Sequence, residues 1–256
     1  MNATNKGTIL IGMPLRNGAK TVRKAVESIR DQKHLKRKLI LFIVNDNSTD
    51  NWREVIQDLL NDHRIEIRTE KLGRVYAVRN FILDHVKTDM ADVEYIGRLD
   101  ADDVLVDDYV LSRMEKIMDH LGPDVIIAGN KQISNGNIVG LNYATKRLMD
   151  HDYLEKKLSL MAGGILEGEL PSCNTFVKPH VKIRYKNIES AEDHWYTVDI
   201  LLNQESYKIH VADKLLYSIY SLDGKSSSTN KKTVNYLKSR RMLYDHFRDN
   251  RPKRCE

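Results

Sequence analysis

The chain has 256 residues, of which 41% are hydrophobic and 30% are charged, a composition typical of a soluble globular protein. The formal net charge of +5 comes from residues 225–256, where ten Lys and Arg residues stand against three Asp and Glu residues. The nearly neutral body has no basic stripe, which argues against nucleic acid as a partner. There is no apolar run near the roughly 18 residues of a membrane span. The two cysteines, Cys173 and Cys255, lack metal-ligand spacing, so we expect a cytoplasmic protein.

The N-terminal part of the chain alternates apolar runs with helical patterns. Apolar runs predict strands at 8–13, 39–44 and 95–99, and alternating apolar and polar residues predict a strand with one exposed face at 65–69. Apolar residues at helical spacing predict the helices between them, at 20–32, 52–60 and 74–85. This alternation predicts a mainly parallel sheet covered on both faces. Since parallel strands end at one edge of a sheet, the loops after Met13, Val44 and Leu99 are expected to converge on one crevice.

The later part of the body mixes helices with antiparallel strands. Helices are predicted at 107–121, 153–161 and 191–203. Strands are predicted at 125–133, 138–143, 174–178, 206–211 and 215–220. Asn135-Gly136 predicts a tight hairpin turn, and the glycine-rich stretch 163–169 predicts a loop that moves.

The tail, residues 225–256, is predicted to contain a basic amphipathic helix. Its apolar residues include Val234, Leu237, Leu243, Tyr244 and Phe247. Such a helix can pack on the body with its basic face in solvent, or lie on an anionic membrane surface.

Two acidic groups stand out as candidates for chemistry. Asp100, Asp102 and Asp103 follow the fourth strand, and three carboxylates so close repel one another unless a cation offsets them. Mg²⁺ and Mn²⁺ favour such oxygens and share their coordination with phosphates. An acidic surface turn is the alternative. Glu192 and Asp193 open the helix at 191–203, where capping of the helix N-terminus is the alternative to catalysis.

Four separated segments, taken together, resemble the family-two glycosyltransferases of the GT-A fold. The segments are Ile11-Gly12-Met13-Pro14-Leu15-Arg16-Asn17, Val44-Asn45-Asp46-Asn47-Ser48-Thr49-Asp50, Gly73 with Ala77-Val78-Arg79-Asn80 and then Leu99-Asp100-Ala101-Asp102-Asp103, and Ala191-Glu192-Asp193-His194-Trp195. Two positions depart from the family pattern, because Arg16 replaces a common tyrosine and Asn45 replaces an aspartate. The resemblance covers residues 8–224.

The resemblance implies an α/β catalytic domain of the GT-A type at 1–224. A nucleotide-sugar half at 1–105 would precede a mixed acceptor half at 106–224, with the tail at 225–256. The implied reaction is metal-assisted, inverting transfer from a nucleotide sugar, typically a UDP-sugar, to a hydroxyl of a glycan or lipid-linked acceptor. Polysaccharide assembly, with peripheral contact of the tail on the inner face of the membrane, would suit such an acceptor.

The resemblance also implies roles for individual residues. Asp193 would be the general base, and Asp46 would accept a hydrogen bond from the nucleotide base. Asp102 and Asp100 would bind the ribose and a divalent metal, Mn²⁺ or Mg²⁺. The full set implied to contact the nucleotide sugar is Pro14, Arg16, Asp46, Arg79, Asp100, Ala101 and Asp102. Asp223 and Lys225 could contact metal or diphosphate, or form a plain surface turn.

Two other functions fit parts of the pattern. A sugar nucleotidyltransferase shares the α/β architecture and acidic metal ligands, but it would usually carry a glycine-rich phosphate loop after the first strand, and Arg16-Asn17-Gly18 is too slight for one. A non-catalytic nucleotide-sugar-binding module could keep the fold without turnover. The presence of Asp46, Asp102 and Asp193 favours an enzyme.

Overall fold

The computed structural model describes residues 6–165, 170, 174–222 and 234–252, and these form one α/β unit. The strands are β1 Thr8–Leu15, β2 Lys38–Asp46, β3 Ile65–Glu70, β4 Val93–Arg98, β5 Asp103–Leu105, β6 Val125–Ser134, β7 Asn137–Asn142, β8 Thr175–Val177 and β9 Ile209–Ser221. The helices are α1 Val22–Arg30, α2 Trp52–Val55, α3 Val75–Asp89, α4 Val110–Leu121, α5 His151–Ala162, α6 Glu192–Leu202 and α7 Val234–Asn250. None of these helices is both long enough and apolar enough to cross a bilayer.

The described strands join one sheet in the order β3-β2-β1-β4-β8-β6-β9-β5, with β7 paired to the later part of β6. The first four are mutually parallel, as predicted, and β8 then joins β4 in the antiparallel direction. The pairing of Pro14 with Val44 and of Gly12 with Arg98 brings the ends of β1, β2 and β4 to one edge. This register confirms that the loops after these strands converge.

Helices cover both faces of the sheet, and each face has its own apolar core. One core contains residues of α3, α5, α6 and α7. The opposite core contains residues of α1, α2 and α4. Continuous apolar strands such as β1 supply both cores, because alternate side chains enter opposite faces. The α/β class and the mainly parallel first half are therefore confirmed.

Three predicted elements differ from the structure. The helix predicted at 52–60 is the short α2 followed by a separate 3₁₀ turn, Gln57–Leu59. The strands predicted at 206–211 and 215–220 form one bent strand, β9, in which Lys214 adopts φ +65°. A left-handed residue bends a strand without ending its pairing, which the sequence pattern does not reveal. The short strand β5, directly after the acidic motif, was missed.

The tail helix α7 packs on the body. Leu243 and Phe247, two of its predicted apolar residues, are fully buried in the core shared with α5 and α6. The outer face of α7 exposes Lys238, Arg241 and Met242. Packing on the body therefore accounts for the inner apolar face of this helix.

Gly97 allows β4 to approach its neighbours closely beside the candidate site. A Cβ atom on Gly97 would lie 2.5 Å from Phe176 Cε1 and 2.9 Å from Ile11 Cδ1. We expect Gly97→Ala to lower the free energy of unfolding by about 1–3 kcal/mol, because both neighbours are fully buried and cannot move aside. Urea unfolding followed by circular dichroism measures this.

Gly140→Ala in β7 is the matched control for Gly97→Ala. Its new Cβ would meet the Gln132 side chain, whose Oε1 lies 3.0 Å away at the end of a flexible chain. We expect a change below about 0.5 kcal/mol at this position. Equal losses in both variants would contradict the account of packing at β4.

Candidate active site

Asp46 fastens the loop between β3 and α3 to the end of β2. Its Oδ1 accepts hydrogen bonds from the backbone N–H groups of Leu72 at 2.7 Å and Gly73 at 2.8 Å. Arg16 Nη1 lies 3.3 Å from the second carboxylate oxygen and also donates to the Gly73 carbonyl at 3.2 Å. Asp46 is 4% exposed, whereas the Arg16 side chain is 58% exposed. The carboxylate thus holds this loop in place, and Arg16 covers it from the solvent side.

The loops after β1 and β2 are tied directly to each other. The backbone N–H of Asn17 donates to Ser48 Oγ at 2.9 Å, and Asn17 Oδ1 accepts from the backbone N–H of Thr49 at 2.8 Å. Asp50 Oδ2 accepts from the backbone N–H of Ala19 at 2.7 Å. These bonds explain why a polar, turn-forming sequence follows β2: its side chains satisfy the backbone of the neighbouring loop.

Arg79 joins the two predicted halves of the domain. It lies on α3, is 5% exposed, and its Nη1 donates to Glu192 Oε1 at 2.6 Å. Its Nη2 donates to Asp100 Oδ2 at 3.1 Å. One guanidinium group therefore bridges the acidic motif after β4 and the acidic start of α6. Glu192 serves this ion pair, so capping alone does not explain its presence.

Arg98 is a second buried arginine in the same cluster. Its Nε lies 3.3 Å from Asp100 Oδ1, and its Nη1 donates to the Tyr185 hydroxyl at 3.2 Å. Tyr185 stacks on Tyr196 of α6, with ring centroids 4.1 Å apart. The guanidinium carbons of Arg79 and Arg98 lie 5.4 and 5.7 Å from the Tyr185 ring centroid. The aromatic pair and Asp100 together fix the positions of both cations.

Asp193 stands at the start of α6 within the field of these arginines. Its Oδ1 accepts a hydrogen bond from the backbone N–H of His194 at 2.8 Å and lies 3.2 Å from His194 Nδ1. Burial raises the pKa of the Asp193 carboxyl, but His194, Arg79 and Arg98 outweigh it and hold the pKa well below its usual range. The side chain keeps 18% of its surface exposed. Asp193 is consequently an ionised, reachable carboxylate at neutral pH.

We expect Arg98→Gln to raise the pKa of Asp193 towards the ordinary aspartate value of about 3.9, because one neighbouring positive charge is removed. Arg98→Lys keeps that charge and should leave the pKa low. Carboxyl ¹³C NMR of aspartate-labelled protein, with Asp193 assigned from Asp193→Asn, gives both values. A titration midpoint that is the same in wild type and Arg98→Gln would contradict the electrostatic role of Arg98.

The lowered pKa of Asp193 makes the stability of the fold depend on pH. Since the pKa is lower in the folded than in the unfolded chain, the ionised carboxylate stabilises the fold above the unfolded value of about 3.9. That contribution disappears as the pH falls through the lower folded value. In Arg98→Gln the contribution should be smaller, and its loss should be complete at a higher pH than in wild type.

Asp102 and Asp100 are the two residues that the sequence predicts to bind a metal. Asp102 is half-buried in the turn between β4 and β5. The two oxygens of Asp100 lie beside Arg79 and Arg98, so metal coordination by Asp100 would require them to leave these cations. In the ranges that the structure describes, no three His, Cys, Asp or Glu side chains are grouped to hold a metal. The residues present fit a Mg²⁺ or Mn²⁺ ion held by one carboxylate and completed by substrate phosphates and water.

The structure brings most of the predicted site residues to one edge of the sheet. Pro14 lies at the end of β1 opposite Val44, and Ala101 is buried beside Asp102. Arg79, Asp100 and Asp193 form one charged cluster, whereas Arg16 and Asp46 form a separate pair at the β3–α3 loop. The predicted positions Asp223 and Lys225, and most of the predicted loop at 163–169, lie outside the described residues.

Sequence reasoning missed Arg98, Tyr185 and the pairing role of Glu192. For Arg98 a signal exists, because a charge at the end of an otherwise apolar buried strand needs a partner. Tyr185 lies outside any helix or strand and carries no such signal, since only the fold brings it against Tyr196 and the two arginines.

Solved structures identify this architecture as the GT-A fold of glycosyltransferases. TarS of S. aureus in complex with UDP-GlcNAc matches with a TM-score of 0.71 and 17% identity, over 96% of this chain and 68% of that one. The mannosyltransferase PcManGT of Pyrobaculum calidifontis in complex with GDP-Man and Mn²⁺ matches with a TM-score of 0.58 and 14% identity, over 88% of this chain and 59% of that one. At such identities the likeness establishes the fold.

The sequence matches the model of glycosyl transferase family 2 over residues 10–158, and the chain belongs to that family. An uncharacterized glycosyltransferase of Mycoplasma pneumoniae, the MG025 homolog, is 28% identical over 122 residues. That alignment covers 47% of this chain and 38% of the relative, so the matched region is less than half the length of the mycoplasma protein. The family match ends before α6, so the role of Asp193 must be argued from its geometry.

Proposed function

We propose that this protein is an inverting glycosyltransferase that moves a sugar from a nucleotide-sugar donor to a hydroxyl group of an acceptor. The observation that carries the proposal is the cluster in which Arg79 links the acidic motif after β4 to the acidic start of α6. A donor on the first half and a base on the second would then face each other across one crevice. TarS with UDP-GlcNAc and PcManGT with GDP-Man show that this fold holds such donors.

The donor would bind along the ends of β1, β2 and β4. Each oxygen of Asp46 has a protein partner, and a hydrogen bond from the nucleotide base would use the remaining acceptor capacity of Oδ2, beside the exposed Arg16. Arg16 and the backbone at Gly73 are therefore proposed to form the edge that meets the base. UDP is the first nucleotide to test, because TarS was solved with it at a TM-score of 0.68.

The leaving diphosphate gains negative charge as the glycosidic bond breaks. Asp102 would hold a divalent ion, Mn²⁺ or Mg²⁺, which would supply electrostatic stabilisation of that charge. Arg79 and Arg98 add fixed positive charge beside Asp100 and hold it in position. Because these groups are already oriented by Tyr185 and Glu192, little reorganisation is needed during the reaction.

The attacking hydroxyl of the acceptor must lose its proton on the side of the sugar opposite the leaving group. Asp193 is proposed to accept that proton, since it is ionised at neutral pH, partly exposed, and located on the acceptor half. A low pKa limits its strength as a base, so transfer of the proton is expected late, as the oxygen bonds to the anomeric carbon. A single displacement of this kind inverts the anomeric configuration.

A glycan or a lipid-linked glycan remains the proposed acceptor. Contact of the tail with an anionic membrane also stays a proposal, but fewer residues of α7 are available for it than the sequence suggested. Since Leu243 and Phe247 are buried against the body, such contact would rest on the exposed Lys238, Arg241 and Met242.

A thermal-shift screen of nucleotide sugars, with and without Mn²⁺, tests donor binding. We expect at least one UDP-sugar to raise the unfolding temperature, and to do so more strongly with Mn²⁺, because a ligand that binds only the folded state stabilises it. Asp102→Ala should remove most of the Mn²⁺-dependent part, since its carboxylate would hold the metal. If Asp102→Ala keeps the full Mn²⁺-dependent shift, the metal role of Asp102 is wrong.

A further inference from the structure

Arg240 is a buried cation that the proposed reaction does not use. It lies on the inner face of α7, is 4% exposed, and its guanidinium stacks on Tyr236 at 3.3 Å from the ring centroid. Within the described ranges, its Nε has no hydrogen-bond partner, and its Nη1 makes a long bond of 3.4 Å to the Tyr236 carbonyl. Among the described residues, no carboxylate forms an ion pair with it. An uncompensated buried guanidinium is costly, and a bound anion would offset that cost.

The distribution of charge along α7 also favours an anion site at Arg240. The N-terminal half of the helix carries Lys238, Arg240 and Arg241 and has no acidic residue in its first turn. Helices usually place acidic residues there, because the helix N-terminus is itself positive. Asp245 and Asp249 lie in the other half. The N-terminal half of α7 therefore concentrates positive potential around Arg240, as an anion site requires.

Contacts between α5 and α7 show the orientation of α7 relative to α5. Arg251, just after α7, has its Nη1 3.7 Å from Asp152 Oδ1 at the start of α5. Arg241 Nε donates to the Ala162 carbonyl at the end of α5, at 3.5 Å. The two helices are thus antiparallel, and the N-terminal half of α7 lies beside the end of α5.

Contacts of α6 relate α5 and α7 to the candidate active site. His151 at the start of α5 lies 2.8 Å from Gln204, which follows α6, so the start of α5 is beside the end of α6. The start of α6 lies beside the C-terminal half of α7, because the rings of Trp195 and His246 have centroids 4.8 Å apart. Asp193 stands at that start. Arg240 precedes His246 on α7, about 9 Å away along the helix axis, so it lies within about two turns of the residue that contacts the start of α6.

We propose that Arg240, stacked on Tyr236, binds a phosphate group of a substrate. A planar guanidinium with an unused Nε–H can bind phosphate through two parallel hydrogen bonds, and stacking on tyrosine holds its plane fixed. The phosphate is either the diphosphate of the donor or a phosphate on the acceptor. This inference deepens the proposed function and rests on it only for the identity of the phosphorylated ligand.

Titration calorimetry with two probes, UDP and glycerol phosphate, tests the site in wild type and Arg240→Gln. We expect the variant to bind one of them at least tenfold more weakly. A loss confined to UDP identifies the donor diphosphate, and a loss confined to glycerol phosphate identifies an acceptor phosphate. If the wild type binds neither probe, or the variant binds both as tightly as wild type, the proposal is overturned.

Arg248→Gln is the matched control on the same helix. Arg248 is exposed and lies over Tyr244 at 5.7 Å, which repeats the four-residue spacing of Tyr236 and Arg240. We expect its binding constants for both probes to stay within about twofold of wild type, because a solvated charge contributes little. Equal weakening in Arg248→Gln and Arg240→Gln would show a nonspecific effect of charge and would overturn the site.

Thermal unfolding separates the phosphate site from a structural role for Arg240. In phosphate-free buffer, Arg240→Met removes an uncompensated buried cation, so its unfolding midpoint should equal or exceed that of wild type. Added pyrophosphate should then raise the midpoint of wild type and Arg248→Gln more than that of Arg240→Met. A lowered midpoint in Arg240→Met, with an unchanged response to pyrophosphate, would contradict the proposal. None of these readouts requires sugar transfer, so failure of the proposed reaction would be seen separately.

Discussion

Replacing Asp193 by asparagine is expected to reduce sugar transfer by about 10²–10⁴-fold while the donor still binds. Asparagine keeps the size of the side chain but cannot accept the proton of the attacking hydroxyl. The loss should therefore appear in kcat rather than in the affinity for the nucleotide sugar. Release of nucleoside diphosphate measures turnover, and circular dichroism shows whether the variant is folded.

Asp199→Asn is the matched control for this change. Asp199 lies on the same helix, α6, with a side chain 13% exposed, and its Oδ1 is 2.7 Å from His246 Nε2 on α7. Its position faces the tail helix, so turnover should stay within a few-fold of wild type. If Asp193→Asn kept turnover within about tenfold, Asp193 would not be the general base.

Replacing Arg79 by methionine is expected to lower the free energy of unfolding by about 3 kcal/mol, because two partly buried carboxylates lose their shared partner. Glu192 is 13% exposed and Asp100 is 21% exposed, so water compensates only part of the loss. Asp100 also keeps its ion pair with Arg98 in this variant. The expected loss of stability is therefore at the low end of the range for breaking a buried ion pair. Urea unfolding measures the change.

Two further variants test the Arg79 network. Adding Glu192→Gln to Arg79→Met should recover part of the loss, because the unpaired charge on residue 192 is removed. Arg113→Met breaks a surface pair with Asp107, in which both side chains are more than a third exposed, and should cost less than about 1 kcal/mol. A loss in Arg79→Met no larger than that in Arg113→Met would show that the buried network does not stabilise the fold.

The N-terminal half of the fold could be predicted because its signals are local. Continuous apolar runs followed by Pro14, by Asn45-Asp46 and by Asp100 mark strands that are buried and then end abruptly. Short elements and bends lack such signals. The break after Val55 and the left-handed Lys214 in β9 have no local signal in the sequence, so the pattern suggested one helix and two strands instead.

The sequence predicted which residues belong to the candidate site better than it predicted which of them contact one another. Asp100 was expected to bind metal, but the fold places it between Arg79 and Arg98, which come from α3 and β4. Such pairings depend on register and on the approach of helices from the other half of the chain. Tyr185 and Glu192 could not be placed for the same reason. Asp102 and Asp193 stay the residues proposed for the metal and for the general base.

The anomeric configuration of the released sugar tests the central claim most directly. In ¹H NMR, wild-type protein with Mn²⁺ and the α-linked UDP-sugar selected by the thermal-shift screen can use water as a slow acceptor. A single displacement assisted by Asp193 predicts that the β anomer appears first and that the α anomer grows only by later mutarotation. Initial appearance of the α anomer would contradict direct attack by an acceptor activated by Asp193.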